Sequence, residues 1–377
     1  MKPRSQSSKF KPTVAFRFAN LSLARMKLVV ATIGVVFATV ASPALAWDYA
    51  GHRMVNQVAL RSLPADFPAF VKTPEARERV AFLAGEPDRW RNTQDHTLKH
   101  FNEPDHFLDL DYLAGFGLTP QTVSPFRFEF IAQLTVARAK NPKIEPVPDP
   151  ARDDKKISAL FGLLPWAINE QYSKLKSAFS YLKTFRENGG TPEEIRNAQE
   201  NAIYIMGVMG HFVGDATQPL HTTKHFNGWI GDNPKNHTTW NRFHSWIDGG
   251  YLDKAGLKVE ELYPKVRPAR LVEGANAGNL GIFAPTMKFI EAQHKLVEPL
   301  YTLNAQRKLS TDGDTALEGK SFLMEQLLKG GQMLGDIWLT AYETAPTDTY
   351  LKSSLAKRQL GPDAGSTKTK SKAKSKK

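Results

Sequence analysis

The stretch TPEEIRNAQENAIYIMGVMGHFVGDATQPLH, residues 191–221, decides the fold. Thr191, Pro192 and the acidic pair Glu193 and Glu194 form an N-terminal helix signature. They supply a hydroxyl to cap free N–H groups, a ring preset at helical φ, and negative charge at the positive end of the dipole. The sequence then becomes apolar almost all round, the pattern of a helix surrounded by other elements. Within that apolar run stand His211 and Asp215, four residues apart and therefore on one face. A buried imidazole beside a buried carboxylate is costly unless something pairs them. The helix stops before Pro219, which swings His221 round to the same neighbourhood.

Other segments repeat the helical period. PWAINEQYSKLKSAFSYLKTFRENGG, residues 165–190, spaces Trp166, Tyr172, Leu175, Phe179 and Leu182 at intervals that put them on one face, with Pro165 at the start and glycines at the end. APTMKFIEAQHKLVEPLYTLNAQRK (284–308) and LEGKSFLMEQLLKGGQMLGDIWLTAYETA (317–345) read as two more long helices. Alternating strand patterns are nearly absent. The expectation is an all-α, single-domain helical bundle over residues 47–360, with long irregular connections around 92–125 and 222–243.

The two ends are of different character. MKLVVATIGVVFATVASPALA, residues 26–46, has a lysine, an apolar run and a small-residue cleavage site. That is a secretory signal, too short for a spanning helix, with cleavage expected between Ala46 and Trp47 and export to the periplasm or medium. The basic stretch before Met26 is an extended leader, or Met26 is the true start. The tail 361–377 is rich in lysine, has no apolar residue able to bury, and is expected to be disordered. The formal charge of +12 is misleading: residues 1–46 carry seven Lys or Arg and no acid, the tail a net five positive charges, and together these account for all twelve. The core is formally neutral, so any affinity for polyanions must come from the tail or from bound cations. There is no cysteine, which excludes disulfides and thiolate ligands alike.

Chemistry concentrates in four places: His211, Asp215 and His221; the pair His244 and Asp248 in FHSWID; the loop EPDRWRNTQDHTLKHFNEPDHFLDLD, residues 86–111; and Trp47 to His52. A lone His–Asp pair is ordinarily just a hydrogen-bonded pair. Two such pairs, a third histidine after the turn and an acidic loop make a ligand set, and nitrogen and oxygen donors without thiolate suit zinc. No HExxH, G-x-S-x-G or phosphate-cradling glycine loop competes.

Together these residues resemble the secreted zinc-dependent single-strand nucleases of the S-one/P-one type, which share a fold with bacterial zinc-dependent phospholipase C. The resemblance runs from Trp47 to about Leu252. It rests on Trp47, Gly51 and His52; on Asp88 and Arg91; on His106 to Asp109; on HFVGDATQPLH from His211; and on His244 and Asp248. It implies three zinc ions. One would take Asp88, His106, His211 and Asp215, and a second His221, His244 and Asp248. The third would take Trp47 through its free amine and carbonyl, His52, and Asp215 as a bridge, so that signal cleavage builds part of the site. It further implies in-line attack on phosphorus by an activated water, with the zinc of His221, His244 and Asp248 stabilising the leaving oxygen.

By the same resemblance Asp88, Arg91 and Asp215 are catalytic, and Arg91, Phe107 and Asp109 bind substrate. Arg91 would hold a phosphate oxygen, unless it is a salt bridge orienting Asp88. Phe107 would stack on a nucleobase, unless it is core, and Asp109 would bond the base edge. The expected substrate is single-stranded DNA or RNA, or nucleotides. The alternatives are a phospholipase C or phosphomonoesterase with the same metals, and a zinc-binding helical protein without turnover; no stable protein partner is implied. The chain departs from the nucleases in TTKHFNGWIGDNPKNHTTWNRF, residues 222–243, and in GEPDRW around Asp88, and His96, His100, His225 and His237 have no assigned role.

Overall fold

The computed structural model describes residues 47–148, 151, 153–310 and 316–360; the expected signal segment and the Lys-rich tail lie outside the described residues. Helix α1 spans Tyr49–Ser62, α2 Pro74–Leu83, α3 Glu86–Arg91, α4 His96–Asn102, α5 Arg127–Lys140, α6 Leu164–Glu187 and α7 Pro192–Thr217. After a long irregular connection come α8, Phe243–Ser245, and α9, Tyr251–Lys254, joined by a turn of widened π geometry over Trp246–Gly250. The chain closes with α10, Phe283–His294; α11, Val297–Ala305; α12, Ala316–Glu343; and α13, Thr349–Leu360. Among the described residues there is no β-strand, so the protein is all-α.

Helix α7 is central. Its start is the expected capping box: the Thr191 hydroxyl accepts from the Glu194 N–H at 3.2 Å, and the Glu194 carboxylate accepts from the Thr191 N–H at 2.8 Å. Every residue from Met206 to Thr217 is buried. Helices α1, α2, α6 and α12 pack around it, and α12 also lies along α1. This enclosure explains why the second half of α7 carries apolar side chains on all sides. Glycine lets the neighbours come close. A Cβ at Gly210 would stand 1.6 Å from Asn56 Oδ1, and one at Gly214 would stand 2.7 Å from His52 Nδ1. Gly214 therefore gives the His52 ring of α1 its place against α7.

The segment 284–308 is two helices rather than the single one its periodicity predicts. Pro299 lacks the N–H that would bond to the Lys295 carbonyl, and its ring would clash there. The helix accordingly ends at His294 and restarts at Val297. The connection 92–125 contains α4 and three short 3₁₀ turns, at Glu103–His106, Leu110–Tyr112 and Ala114–Phe116. The 222–243 connection has no helix of four or more residues after the Pro219–Thr222 turn. No helix among the described residues is long and apolar enough to cross a membrane.

Candidate metal centre

The end of α7 supplies His211 and Asp215, both fully buried. Asp88 comes from α3, His106 from the turn after α4, and His52 from α1. Gln218 ends α7 in an extended conformation, and the Pro219–Thr222 turn brings His221 back towards Asp215, with Nδ1 of His221 3.7 Å from Asp215 Oδ1. His244 and Asp248 face the same region from α8 and the widened turn.

Three sets of donor atoms converge, each within 4.8 Å: Asp88, His106 and His211; His52, His211 and Asp215; and His221, His244 and Asp248. In the first, His211 Nε2 lies 3.0 Å from His106 Nδ1 and 3.8 Å from Asp88 Oδ1. Asp215 joins it, with Oδ2 3.1 Å from His106 Nδ1 and 3.3 Å from His211 Nε2. Its other oxygen, Oδ1, is 3.4 Å from His52 Nε2. Asp215 thus faces two sets with two different oxygens. In the remaining set, His244 Nε2 is 2.9 Å from His221 Nε2 and 2.8 Å from Asp248 Oδ2.

These distances suit a zinc ion. At metal–nitrogen bonds of about 2.0–2.1 Å, tetrahedral donors stand roughly 3.4 Å apart. The hydrogen-bond account points the same way. Asp215 Oδ1, Asp248 Oδ2 and His52 Nε2 are buried without a hydrogen-bond partner, whereas Asp88 Oδ1 is met by Arg91. Buried carboxylate oxygens and an imidazole nitrogen left unpaired side by side suit a cation, since each otherwise costs the desolvation of a polar group. Two imidazoles are already turned for ligation. His211 Nδ1–H donates to the Ala84 carbonyl at 2.7 Å and His221 Nδ1–H to the His106 carbonyl at 2.6 Å, which leaves Nε2 of each free to bind.

Three of the imidazoles are held in the form that binds a metal. Burial, reinforced by the neighbouring Arg91, holds the His106 imidazole down to about 3. Burial likewise takes His221 to about 4 and, with the charge of His211, pushes His52 well below its ordinary value. These rings are neutral, the form that ligates. Burial works against charge on His211 too, but Asp215 and Asp88 outweigh it and raise that imidazole. Burial also opposes charge on Asp215, yet His211 and His221 hold it well below the carboxylate range.

Trp47 is fully buried, and its indole N–H donates to the Gly214 carbonyl at 3.0 Å. The next residue, Asp48, donates its backbone N–H to the Asp248 carbonyl at 2.9 Å. The residue expected to begin the mature chain is thus pinned between the Asp215 and Asp248 segments.

Beside the centre is a cavity of about 260 Å³, lined by Arg91, Phe107, Asp109, His221, Phe226, Asn227 and His244 among others. Arg91 pairs with Asp88 at 2.9 Å and also faces this cavity. Both readings of its role are thereby compatible with one position. Phe107 is half-buried in the wall rather than in the core. Burial, aided by the charge of Asp111, pushes the Asp109 carboxyl up to about 8, so it is protonated at neutral pH. Phe226 and Asn227 were not singled out by sequence, and Asn227 Oδ1 is buried without a partner. Their only signal was their place in the segment that departs from the nucleases.

The unassigned histidines lie elsewhere. His96 pairs with Asp154 at 3.4 Å on the surface, and His100 Nδ1 meets the Lys155 carbonyl. His225 stacks on Trp229 at 3.9 Å, and His237 packs against Trp229 and Tyr301; these rings hold the 222–243 connection against α11.

No protein-family model matches this chain, and no curated protein matches it. Among solved structures it is similar to the alpha-toxin of Clostridium perfringens from avian strain SWCP, at 14% identity and a TM-score of 0.38, over 80% of this chain and 65% of that one. It is also similar to the alpha toxin of Clostridium absonum, at 14% identity and a TM-score of 0.36, over 81% of this chain and 68% of that one. The chain thus spans about two thirds of the toxins' length. Likeness this distant assigns no activity, and the single-strand nuclease family is not confirmed by it.

Proposed function

We propose that this chain is an exported zinc-dependent hydrolase of phosphate esters. The observation that carries the reading is the contiguity of three His/Asp donor sets, two of them sharing His211 and the third approaching Asp215 through His221, beside a cavity that presents Arg91. Asp88, His106 and His211 would hold one ion, His221, His244 and Asp248 another, and His52 with Asp215 a third, completed by the main chain of Trp47 once it is a free terminus. Bound zinc would supply Lewis acidity toward a phosphoryl oxygen and lower the pKa of an attacking water. Arg91 keeps one guanidinium nitrogen on Asp88 and offers the rest of its fork to a phosphate oxygen. His52, His106 and His221, kept neutral by burial, leave their lone pairs for ligation rather than for protons.

Two substrate classes have specific support. For single-stranded nucleic acid or nucleotides it is the Phe107 face and the protonated Asp109 carboxyl, which can donate to a base edge. For a phospholipid it is exposed apolar surface: Phe226, Ile230 and Trp240 of the 222–243 connection are each close to half exposed, and Phe226 opens onto the cavity. Aromatic side chains placed in this way suit an amphiphile surface. The test is an assay of the purified, zinc-loaded mature protein on single-stranded DNA, a choline phospholipid and a small aryl phosphate. Turnover of none of them, with zinc bound, would leave a binding protein and sink the hydrolase reading.

A further inference from the structure

We infer that Gln218 is a positioning residue that orients Asp248 for the metal, an inference that rests on the metal-centre reading above. Gln218 ends α7 and is fully buried. Its main chain already ties two donor sets together, since its N–H donates to the Asp215 carbonyl at 3.0 Å and its carbonyl accepts from the His221 N–H at 3.0 Å. Any residue type but proline supplies those two bonds. The amide does something more specific.

Gln218 Oε1 accepts from the Leu220 N–H at 3.0 Å, and Gln218 Nε2 donates to Asp248 Oδ1. The amide cannot be turned over: that would set Oε1 against a carboxylate oxygen and NH₂ against a backbone N–H, two repulsive contacts in a buried place. The orientation of the amide is therefore dictated by Leu220. It engages one oxygen of Asp248 and leaves the other, Oδ2, buried without a hydrogen bond. That free oxygen is 2.8 Å from His244 Nε2, which is 2.9 Å from His221 Nε2. Gln218 thus decides which carboxylate oxygen meets the cation and holds it at the distance of the two imidazoles. Loss of an outer hydrogen-bond partner of this kind weakens a metal site roughly 10- to 100-fold.

The experiment is zinc titration of the metal-stripped mature protein against a chromophoric chelator, resolving successive equivalents. Gln218→Met removes both bonds at similar volume; Gln218→Glu keeps an acceptor for the Leu220 N–H and, titrated at a pH where its carboxyl is ionised, lacks the donor to Asp248, whereas the protonated form would restore it. The expected result is one equivalent weakened roughly 10- to 100-fold in either variant, with the others unmoved. Asp248→Asn should weaken the same equivalent, and adding Gln218→Met to it should weaken it no further, because the two groups act as one unit. Equal weakening of every equivalent, no weakening at all, or additive effects in the double variant would overturn the inference. Failure of the unsubstituted protein to take up zinc would instead overturn the metal centre itself, and this inference with it.

Discussion

Asp215 is the residue whose loss should cost most, because its two oxygens serve different donor sets. Oδ2 lies 3.1 and 3.3 Å from His106 and His211, and Oδ1 lies 3.4 Å from His52. Asp248 serves one set only. Each occupied site stabilises the folded chain by about 2.7 kcal/mol when free zinc is 100-fold above its dissociation constant. Asp248→Ala should forfeit about 2.7 kcal/mol and Asp215→Ala about twice that. For a domain of this size a kilocalorie moves the melting temperature by at most about 2–4 °C. The expected falls are at most roughly 5–10 °C for Asp248→Ala and at most about double that for Asp215→Ala. Melting curves with saturating zinc and with chelator, together with zinc content by elemental analysis, separate the metal contribution from packing. The difference between the variants should vanish in chelator. Equal zinc loss in both, or an unchanged gap without metal, would refute the bridging geometry.

Phe107→Ala should raise the Michaelis constant for single-stranded nucleic acid roughly 5- to 150-fold, from about 1–3 kcal/mol of stacking, and change hydrolysis of a small aryl phosphodiester far less. Equal effects on both substrates, at unchanged zinc content, would make Phe107 a packing residue. Asp109 holds a proton in the folded state up to about pH 8, whereas the unfolded chain loses it near the ordinary value of 3.8. The folded form therefore binds more protons between these values, and stability falls as pH rises through that window. Asp109→Asn should flatten this fall in denaturant titrations run across it. A methyl at residue 214 would press on the His52 ring, so Gly214→Ala should destabilise the fold by about 1–3 kcal/mol and weaken zinc at the His52 set, as read by melting with and without metal. An extra methionine before Trp47 should cost one zinc equivalent and most activity, and N-terminal sequencing of exported protein should begin at Trp47.

Much of this was legible in the order of residues, for reasons that are local. Thr191, Pro192 and Glu194 mark the start of α7 because capping is a matter of three or four neighbouring residues. The apolar surround of Met206 to Thr217 declares burial because only an enclosed helix needs it. The four-residue spacing of His211 and Asp215 puts both on one face of any helix that contains them. Pro299 breaks a helix that periodicity alone carries through, a local rule that outweighs a strong pattern. What no spacing could give is distance between segments. That Asp215 turns one oxygen to His106 and the other to His52 depends on how closely α1 meets α7, and so on the missing Cβ at Gly214. That Gln218 reaches Asp248, and that Phe226 and Asn227 join Phe107 and Asp109 around one cavity, depends on where the long connection settles. The tautomers of His211 and His221 are set by the carbonyls of Ala84 and His106, main-chain atoms every residue possesses and no sequence distinguishes. Residue type supplies the donors; the packing of α1, α3 and the turns against α7 decides which of them share an ion.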